Sequence, residues 1–511
     1  MKMNVAYLLI NTASNNPDRI AIISEEKRFS YKSFNQRVNQ LAQAMGQYGL
    51  KKGDRVALMF FNTHHFAEVY FATIKMGALL TPVNFRFVGE EIEYIVNNSE
   101  ANFFFFAKEF QETVGSIQQR LHTVKNFVGV DVKKADFAHD YESFLSLGGS
   151  DEQEVEIQEC DPCQIMYTSG TTGKPKGAVI THGNVLWNLM NTIVGREDHP
   201  RETSLIIGPL YHTAALNNHF TIQIALGGTS VLVKKFDPEI VLRYIEKEKV
   251  NVISGSPAMY NLLLQYPRLD HFDTSSITKC TAGSAILPQE IKERLLEVFP
   301  KVTGVYDVYG CTEASPTITI LSARDSFRKH GSVGPPAPFL QAKIVNEDGR
   351  PLPPDQIGEL VCQGPNVMQG YYKNREATKE AVKDGWLYTG DLATVDEDGY
   401  VYIVDRKKDM IVSGGENVYP REIEEVLFRH PAIADVAVVG IPDSIWGESV
   451  KAFIVLKHGK MVGKQEVIDF CNQSSQVVSF PTQLRKNACL ELPQPALEEA
   501  GIRQVAPLVA L

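Results

Sequence analysis

Short apolar runs alternate with longer amphipathic stretches over most of the chain. The runs Arg55 to Phe61, Asn102 to Phe106, Gln164 to Tyr167, Ser204 to Ile207, Ser230 to Val233 and Asn251 to Gly255 have strand length. Between them, Tyr31 to Gln47, Pro238 to Glu248 and Pro288 to Val298 carry apolar residues at helical spacing. This strand-then-helix rhythm predicts an α/β architecture with mostly parallel sheets flanked by helices. No internal repeat is visible, and the one low-complexity tract, Phe103 to Phe106, reads as a buried strand.

From Gly349 to Tyr402 the texture changes. Gly, Pro and Asp punctuate short strands, as in Glu347-Asp348-Gly349 and Asp396-Glu397-Asp398-Gly399, which predicts hairpins and a small β-barrel-like subdomain over about 340–405. After Asp405-Arg406-Lys407-Lys408-Asp409 a helix is predicted from Pro420 to His430, with proline in its first turn and acids near its start. Strands near Asp435 to Gly440 and Val450 to Leu456 follow. The expected division is a large N-terminal domain over 1–407 and a small α+β C-terminal domain over 408–511, atypical after about 473.

At 511 residues the chain is long enough for about three units of ordinary size. A net charge of −10 opposes binding to phosphate backbones, which argues against a nucleic-acid partner and requires any site for an anionic ligand to gather positive groups locally. No apolar run reaches the length of a membrane span. The stretch Val5 to Ile10 follows a single basic residue and lacks a cleavage-type ending, so a secretory signal is not expected and a cytoplasmic location is. Cys160 and Cys163 form a C-x-x-C with no second pair, which favours two free thiols beside a strand over zinc or redox chemistry.

The most informative stretch is Tyr167-Thr168-Ser169-Gly170-Thr171-Thr172-Gly173-Lys174-Pro175-Lys176-Gly177. An apolar strand feeds it. Glycines let backbone amides turn inward, hydroxyls donate hydrogen bonds and lysine supplies charge, so the loop suits a polyphosphate. It is not a Walker A loop: Gly170 and Gly173 are too close, and Pro175 stands where the magnesium-ligating hydroxyl belongs. Kinase and P-loop ATPase readings fall with it.

With this loop the sequence resembles the superfamily of acyl-CoA synthetases, peptide-synthetase adenylation domains and luciferases, and within it most resembles fatty-acid–CoA ligases, over Met1 to about Gln473. The resemblance implies an ATP-dependent ligase that forms an acyl-adenylate and passes the acyl group to CoA. It assigns Thr168, Ser169, Gly170, Thr171, Thr172, Gly173 and Lys174 to ATP, with Lys174 catalytic. In Tyr309-Gly310-Cys311-Thr312-Glu313 it implies that Tyr309 stacks on adenine, Gly310 lines the nucleotide site, Thr312 contacts the α-phosphate and Glu313 holds Mg2+ together with Thr168. Gly283, Ser284 and Ala285 become the wall against the base, and His212 an orienting or gating residue beside the acyl site. Asp391 and Arg406 become the ribose pair, Lys408 the interdomain hinge of a mobile C-terminal domain, and Ser413, Gly414, Gly415 and Glu416 the lining of the CoA thiol channel. Expected partners are a carboxylic acid, ATP and CoA; a homodimer and peripheral membrane contact stay open.

The resemblance breaks in the tail. The family's C-terminal domain ends in a Gly-Lys pair whose lysine bridges substrate carboxylate and phosphate during adenylation. Here the lysine after Lys464 is Lys486, in Leu484-Arg485-Lys486-Asn487, with no glycine before it. True divergence, a reading-frame slip favoured by the abruptness of the change, or replacement by another lysine each account for this. Impaired adenylation is expected if no other group replaces the lysine. An ATP- and acyl-binding protein without activity, or an adenylating enzyme with another acyl acceptor, are the rival readings.

Overall fold

The computed structural model describes residues 3–132, 136–168, 174–413, 416–443, 447–457, 459–473 and 509–510. The chain divides into two compact units: Met1–Ala342, Val361–Tyr388 and Asp398–Val401 form the first, and Lys343–Leu360, Thr389–Glu397 and Tyr402–Leu511 the second.

The first unit contains two eight-stranded sheets. In one, strands Val305–Gly310, Lys279–Gly283, Val252–Gly255, Thr203–Ile206, Thr229–Leu232 and Ile20–Ser24 run parallel, with antiparallel edges Thr317–Leu321 and Lys27–Ser30. In the other, Pro162–Thr168, Leu79–Pro82, Arg55–Met59, Phe103–Ala107, Asn126–Val130 and His139–Asp140 run parallel. That sheet ends in antiparallel Lys176–Thr181 and Gly370–Tyr371. Parallel strands need cover on both faces, so they read as continuous apolar runs. Phe103 to Phe106 fit this, each at most 1% exposed.

The helices begin and end where the sequence places caps. Ser30 accepts a hydrogen bond from the Ser33 amide at the start of Tyr31–Gln47, whose Tyr31, Phe34, Val38, Leu41 and Met45 form one buried stripe. Asp237 caps Pro238–Glu248 with proline in the first turn, and Lys249 stops it in the left-handed region at φ 48°. The predicted helix Pro288 to Val298 appears as Gln289–Val298. Among the described residues no helix is long and apolar enough to cross a membrane.

The second unit carries most of a five-stranded, half-barrel sheet built from Gln341–Val345, Gly358–Gln363, Trp386–Val395, Val382–Lys383 and Val401–Arg406. It continues into a sheet of Glu416–Val418, Ile411–Ser413, Gly447–Leu456 and Ile433–Asp443, with Val509–Ala510 beside Gly447–Leu456. The helix Pro420–Phe428 packs Ile423, Val426 and Leu427 into this unit's own core with Val436, Ile454 and Val467.

Candidate active site

The predicted phosphate loop joins two antiparallel strands, Pro162–Thr168 and Lys176–Thr181, which pair Thr168 with Lys176 across its base. Ser169, Gly170, Thr171, Thr172 and Gly173 lie outside the described residues. The base is tightly built. A Cβ on Gly177 would stand 2.6 Å from Ile165 Cγ2 and 3.1 Å from the Tyr167 ring, so only glycine fits. Tyr167 in turn donates to Asn98 Oδ1 at 2.6 Å. Lys174 is exposed, its Nζ 5.4 Å from the centre of the Tyr94 ring, and the Tyr94 hydroxyl donates to the Pro175 carbonyl at 3.1 Å. Lys176 Nζ lies 5.2 Å over the ring of Tyr371.

The second predicted motif meets this base. Tyr309 and Gly310 end the strand Val305–Gly310, and the chain then makes the 3-10 turn Thr312–Ala314. Gly310 is required because a Cβ there would run into the Pro316 carbonyl. The turn carries Glu313 to the hairpin, placing its Oε1 3.5 Å from Thr168 Oγ1, although 145 residues separate them. Thr312 is half-buried beside it. Gly283 registers with Val308, so the turn at Gly283, Ser284 and Ala285 lies next to Tyr309 at the C-terminal ends of neighbouring parallel strands. Such strand ends are where open α/β sheets bind ligands. Ser284 sits at φ 71°, and Gly283 leaves only 3.1 Å between a would-be Cβ and the Val308 carbonyl.

A segment without a recognisable motif holds Glu313 in place. The Met368 amide donates to the Glu313 carbonyl at 2.7 Å, and the Tyr371 hydroxyl donates to Glu313 Oε1 at 2.7 Å. Asn366 Nδ2 donates to the Ala314 and Thr317 carbonyls at 2.7 and 2.8 Å. Asn184 Nδ2 donates to the Pro365 and Val367 carbonyls, both at 2.8 Å. Burial and the negative charge of Glu313 push the Tyr371 phenol well above its ordinary pKa, so it stays a donor at neutral pH. The tract Gly370-Tyr371-Tyr372 was the available signal, but hairpin-like texture gives no clue to which carboxylate its phenol reaches.

His212 follows the loop from Pro209, its amide donating to the Pro209 carbonyl at 3.0 Å, and lies two residues before a π-helical stretch, Ala214–Thr221. Single π turns recur at functional sites. The ring keeps exposed surface but is walled by protein, 4.4 Å from the Tyr211 ring. Desolvation and the nearby Arg86 guanidinium lower its pKa, so the imidazole is neutral near pH 7.

Within the second unit, Arg406 Nε lies 3.6 Å from Asp391 Oδ1, bringing the predicted ribose pair together. Asp391 sits on a braced turn. Its amide donates to Thr389 Oγ1 at 3.1 Å, Thr389 donates to the Leu360 carbonyl at 2.7 Å, and the Gly390 carbonyl accepts from the Lys407 amide at 2.9 Å. Asp405 accepts from the Arg406 and Arg421 amides, tying the segment before Lys408 to the start of Pro420–Phe428. Lys408 is exposed. Ser413 is buried at a strand end opposite Glu416, while Gly414 and Gly415 lie outside the described residues.

Residues 9–372 match the family model of AMP-binding enzymes, and residues 422–493 that of the AMP-binding enzyme C-terminal domain. The chain is 36% identical over 459 residues to a feruloyl-CoA synthase of an Amycolatopsis species, covering 90% of each. It is 34% identical to a long-chain-fatty-acid–CoA ligase of Bacillus subtilis strain 168, covering 96% of this chain and 92% of the relative. A solved fatty acyl CoA synthetase of Mycobacterium tuberculosis superposes with a TM-score of 0.78 at 30% identity, covering 94% of this chain and 93% of the other. The chain belongs to the AMP-binding enzyme family, among its adenylate-forming acyl-CoA ligases.

Proposed function

We propose that this chain activates a carboxylic acid with ATP, giving an acyl-adenylate and pyrophosphate, and then forms a thioester with coenzyme A, releasing AMP. The observation that carries this reading is the meeting of Thr168 and Glu313 at 3.5 Å, which joins the phosphate loop to the Tyr309–Glu313 motif. Both residues offer only oxygen donors, the set Mg2+ prefers, so they would hold that ion, which when bound neutralises phosphate charge.

In the first half-reaction the substrate carboxylate oxygen attacks the α-phosphorus and the bond to pyrophosphate breaks. Both reactants are anions, so the barrier is largely electrostatic. Lys174 and the loop amides are the groups assigned to the developing negative charge. Tyr309, with the small residues Gly283 to Ala285, is assigned to the adenine, and Asp391 and Arg406 to the ribose, where a carboxylate accepts from both hydroxyls and arginine forks onto oxygen. His212, neutral near pH 7, orients the acid rather than carrying a proton. In the second half-reaction the CoA sulfur attacks the carbonyl carbon, the bond to the AMP phosphate breaks, and the thiol proton is lost. Rotation about Lys408 would bring Ser413 to Glu416 to the thiol channel.

A medium- or long-chain fatty acid is the proposed substrate class, supported by 34% identity to the Bacillus subtilis ligase. An aryl acid is the second reading, favoured by 36% identity to the feruloyl-CoA synthase. Hydroxylamine trapping of the adenylate across a panel of fatty and aryl acids, followed by thioester formation with free CoA, tests both readings. No hydroxamate with any acid despite ATP binding would leave a binding protein without activity. A preformed acyl-adenylate converts to thioester faster than acid plus ATP does if the tail lacks a working substitute for the adenylation lysine; equal rates exclude that deficit.

A further inference from the structure

We infer that Tyr371 is a positioning residue that fixes the Glu313 carboxylate for binding of Mg2+ and ATP. The inference rests on the proposed role of Glu313. A glutamate side chain has three rotatable bonds, and a carboxylate at the tip of a turn would ordinarily sample several rotamers. Here its two ends are held by one short segment. The Met368 amide fixes the Glu313 carbonyl, and three residues later the Tyr371 phenol fixes Oε1. Among the described residues Glu313 Oε2 has no hydrogen-bond partner, so one oxygen is anchored and the other is available.

The same segment is stitched to the phosphate-loop hairpin. The Gln369 amide donates to the Val179 carbonyl at 2.9 Å, the Tyr372 amide donates to the Gly177 carbonyl at 2.7 Å, and Tyr371 registers with Ala178. Glu313 is therefore placed relative to Thr168 by a segment that hydrogen-bonds to Glu313 and to the strand Lys176–Thr181, whose Lys176 pairs with Thr168. Lys176, one strand position from Gly177 and 5.2 Å over the Tyr371 ring, adds a cation–π contact that holds the ring against rotation. A charge-assisted phenol–carboxylate bond is stronger than a neutral one, enough to choose one carboxylate rotamer over others.

The test measures ATP affinity against Mg2+ concentration, with no turnover required, for the full chain. In the unmodified protein Mg2+ strengthens ATP binding, and Glu313→Gln removes most of that response. Tyr371→Phe keeps the ring and loses the donor. It is expected to raise the Mg2+ concentration for half-maximal strengthening about tenfold, to leave Mg2+-free ATP affinity within about twofold, and to melt close to the unmodified protein. In the Glu313→Gln background Tyr371→Phe has no further effect. If Tyr371→Phe does not fold, Tyr371→His, which retains a ring and an N–H, is expected to show a smaller shift in the same direction. An unshifted Mg2+ response in a folded Tyr371 variant overturns the positioning role alone, as does equal weakening of ATP with and without Mg2+, or a further loss in the Glu313→Gln background. If the unmodified protein shows no Mg2+ response, or Glu313→Gln keeps it, the role of Glu313 fails and that of Tyr371 falls with it.

Discussion

Glu313 in the first unit and Arg406 in the second represent two ways of holding a charged side chain. Glu313 is fixed at its backbone by Met368 and at its tip by Tyr371, inside a frame whose Asn366 and Asn184 amides each satisfy two carbonyls. The Arg406 side chain is 62% exposed, and its ion pair to Asp391 spans 3.6 Å. A residue that must meet charge developing in a transition state gains from being held in advance, because no reorganisation remains to be done. A residue two positions before the proposed hinge at Lys408 needs contacts that release easily when the hinge turns. The contrast predicts that changes near Glu313 act on chemistry or on folding strongly, and changes at Arg406 weakly.

The largest effect is expected at Glu313. Glu313→Gln keeps shape and removes charge, so adenylate formation should fall about a hundredfold or more, with the denaturation midpoint nearly unchanged. Trapped hydroxamate per unit time is the measure, and a drop below tenfold would mean that this carboxylate does not face the reacting phosphates. Asn366→Ala tests the frame instead. Asn366 is fully buried, and truncation strips two carbonyls of their donor, which should cost about 2–3 kcal/mol of stability, read from chemical denaturation.

The first unit also differs in its histidines. Burial lowers the pKa of His182 to about 4, and its Nδ1 accepts from the Val5 amide at 3.1 Å. His64, His65 and His219, also in the first unit, are lowered to about 2, 3 and 3, chiefly by burial. Each is neutral in the folded protein where an unfolded histidine, with a pKa near 6.5, takes up a proton. The unfolded chain then binds more protons, so this contribution to stability falls as pH drops from about 6.5 towards the folded value. In the second unit Asp405 and Glu424 are raised by burial, which acts in the opposite sense, favouring the folded form as pH falls. His182→Gln isolates one histidine: between pH 6.5 and 5 its stability should decline less steeply than that of the unmodified protein, by about 1 kcal/mol per pH unit. Parallel slopes would mean that His182 is protonated in the folded state.

Much of this architecture was legible because periodicity and caps agree. Tyr31–Gln47 and Pro238–Glu248 appear over the residues predicted, each begun by a Ser or Asp that caps it. The Phe103 to Phe106 run was readable as a buried strand since parallel sheets leave no polar face. At the site, Thr168 and Glu313 were both picked out by their motifs, and the structure adds that they meet. Tyr371, Asn366 and Asn184 were not picked out. Their roles depend on carbonyls and a carboxylate brought near by long-range pairing, and a lone Asn or Tyr has the same local pattern whether it holds the turn that carries Glu313 or faces water. The helix expected to reach His430 stops at Phe428, within the fraying ordinary for helix ends.

The smallest effect is expected at Arg406, and there the comparison can be broken most cleanly. An exposed ion pair at 3.6 Å contributes little to folding, so Arg406→Ala should shift stability by no more than about 0.5 kcal/mol. Arg406→Lys keeps the charge but loses the planar fork, so any ribose contact should weaken ATP binding only a fewfold while the protein melts normally. If Arg406→Ala instead destabilises the chain as much as Asn366→Ala does, the second unit depends on this residue for its fold. The distinction drawn between a carboxylate held in place and a guanidinium left free to disengage would then fail. If stability holds but ATP binding is untouched by either change, Arg406 plays no part in nucleotide recognition, and Asp391 alone carries the proposed ribose contact.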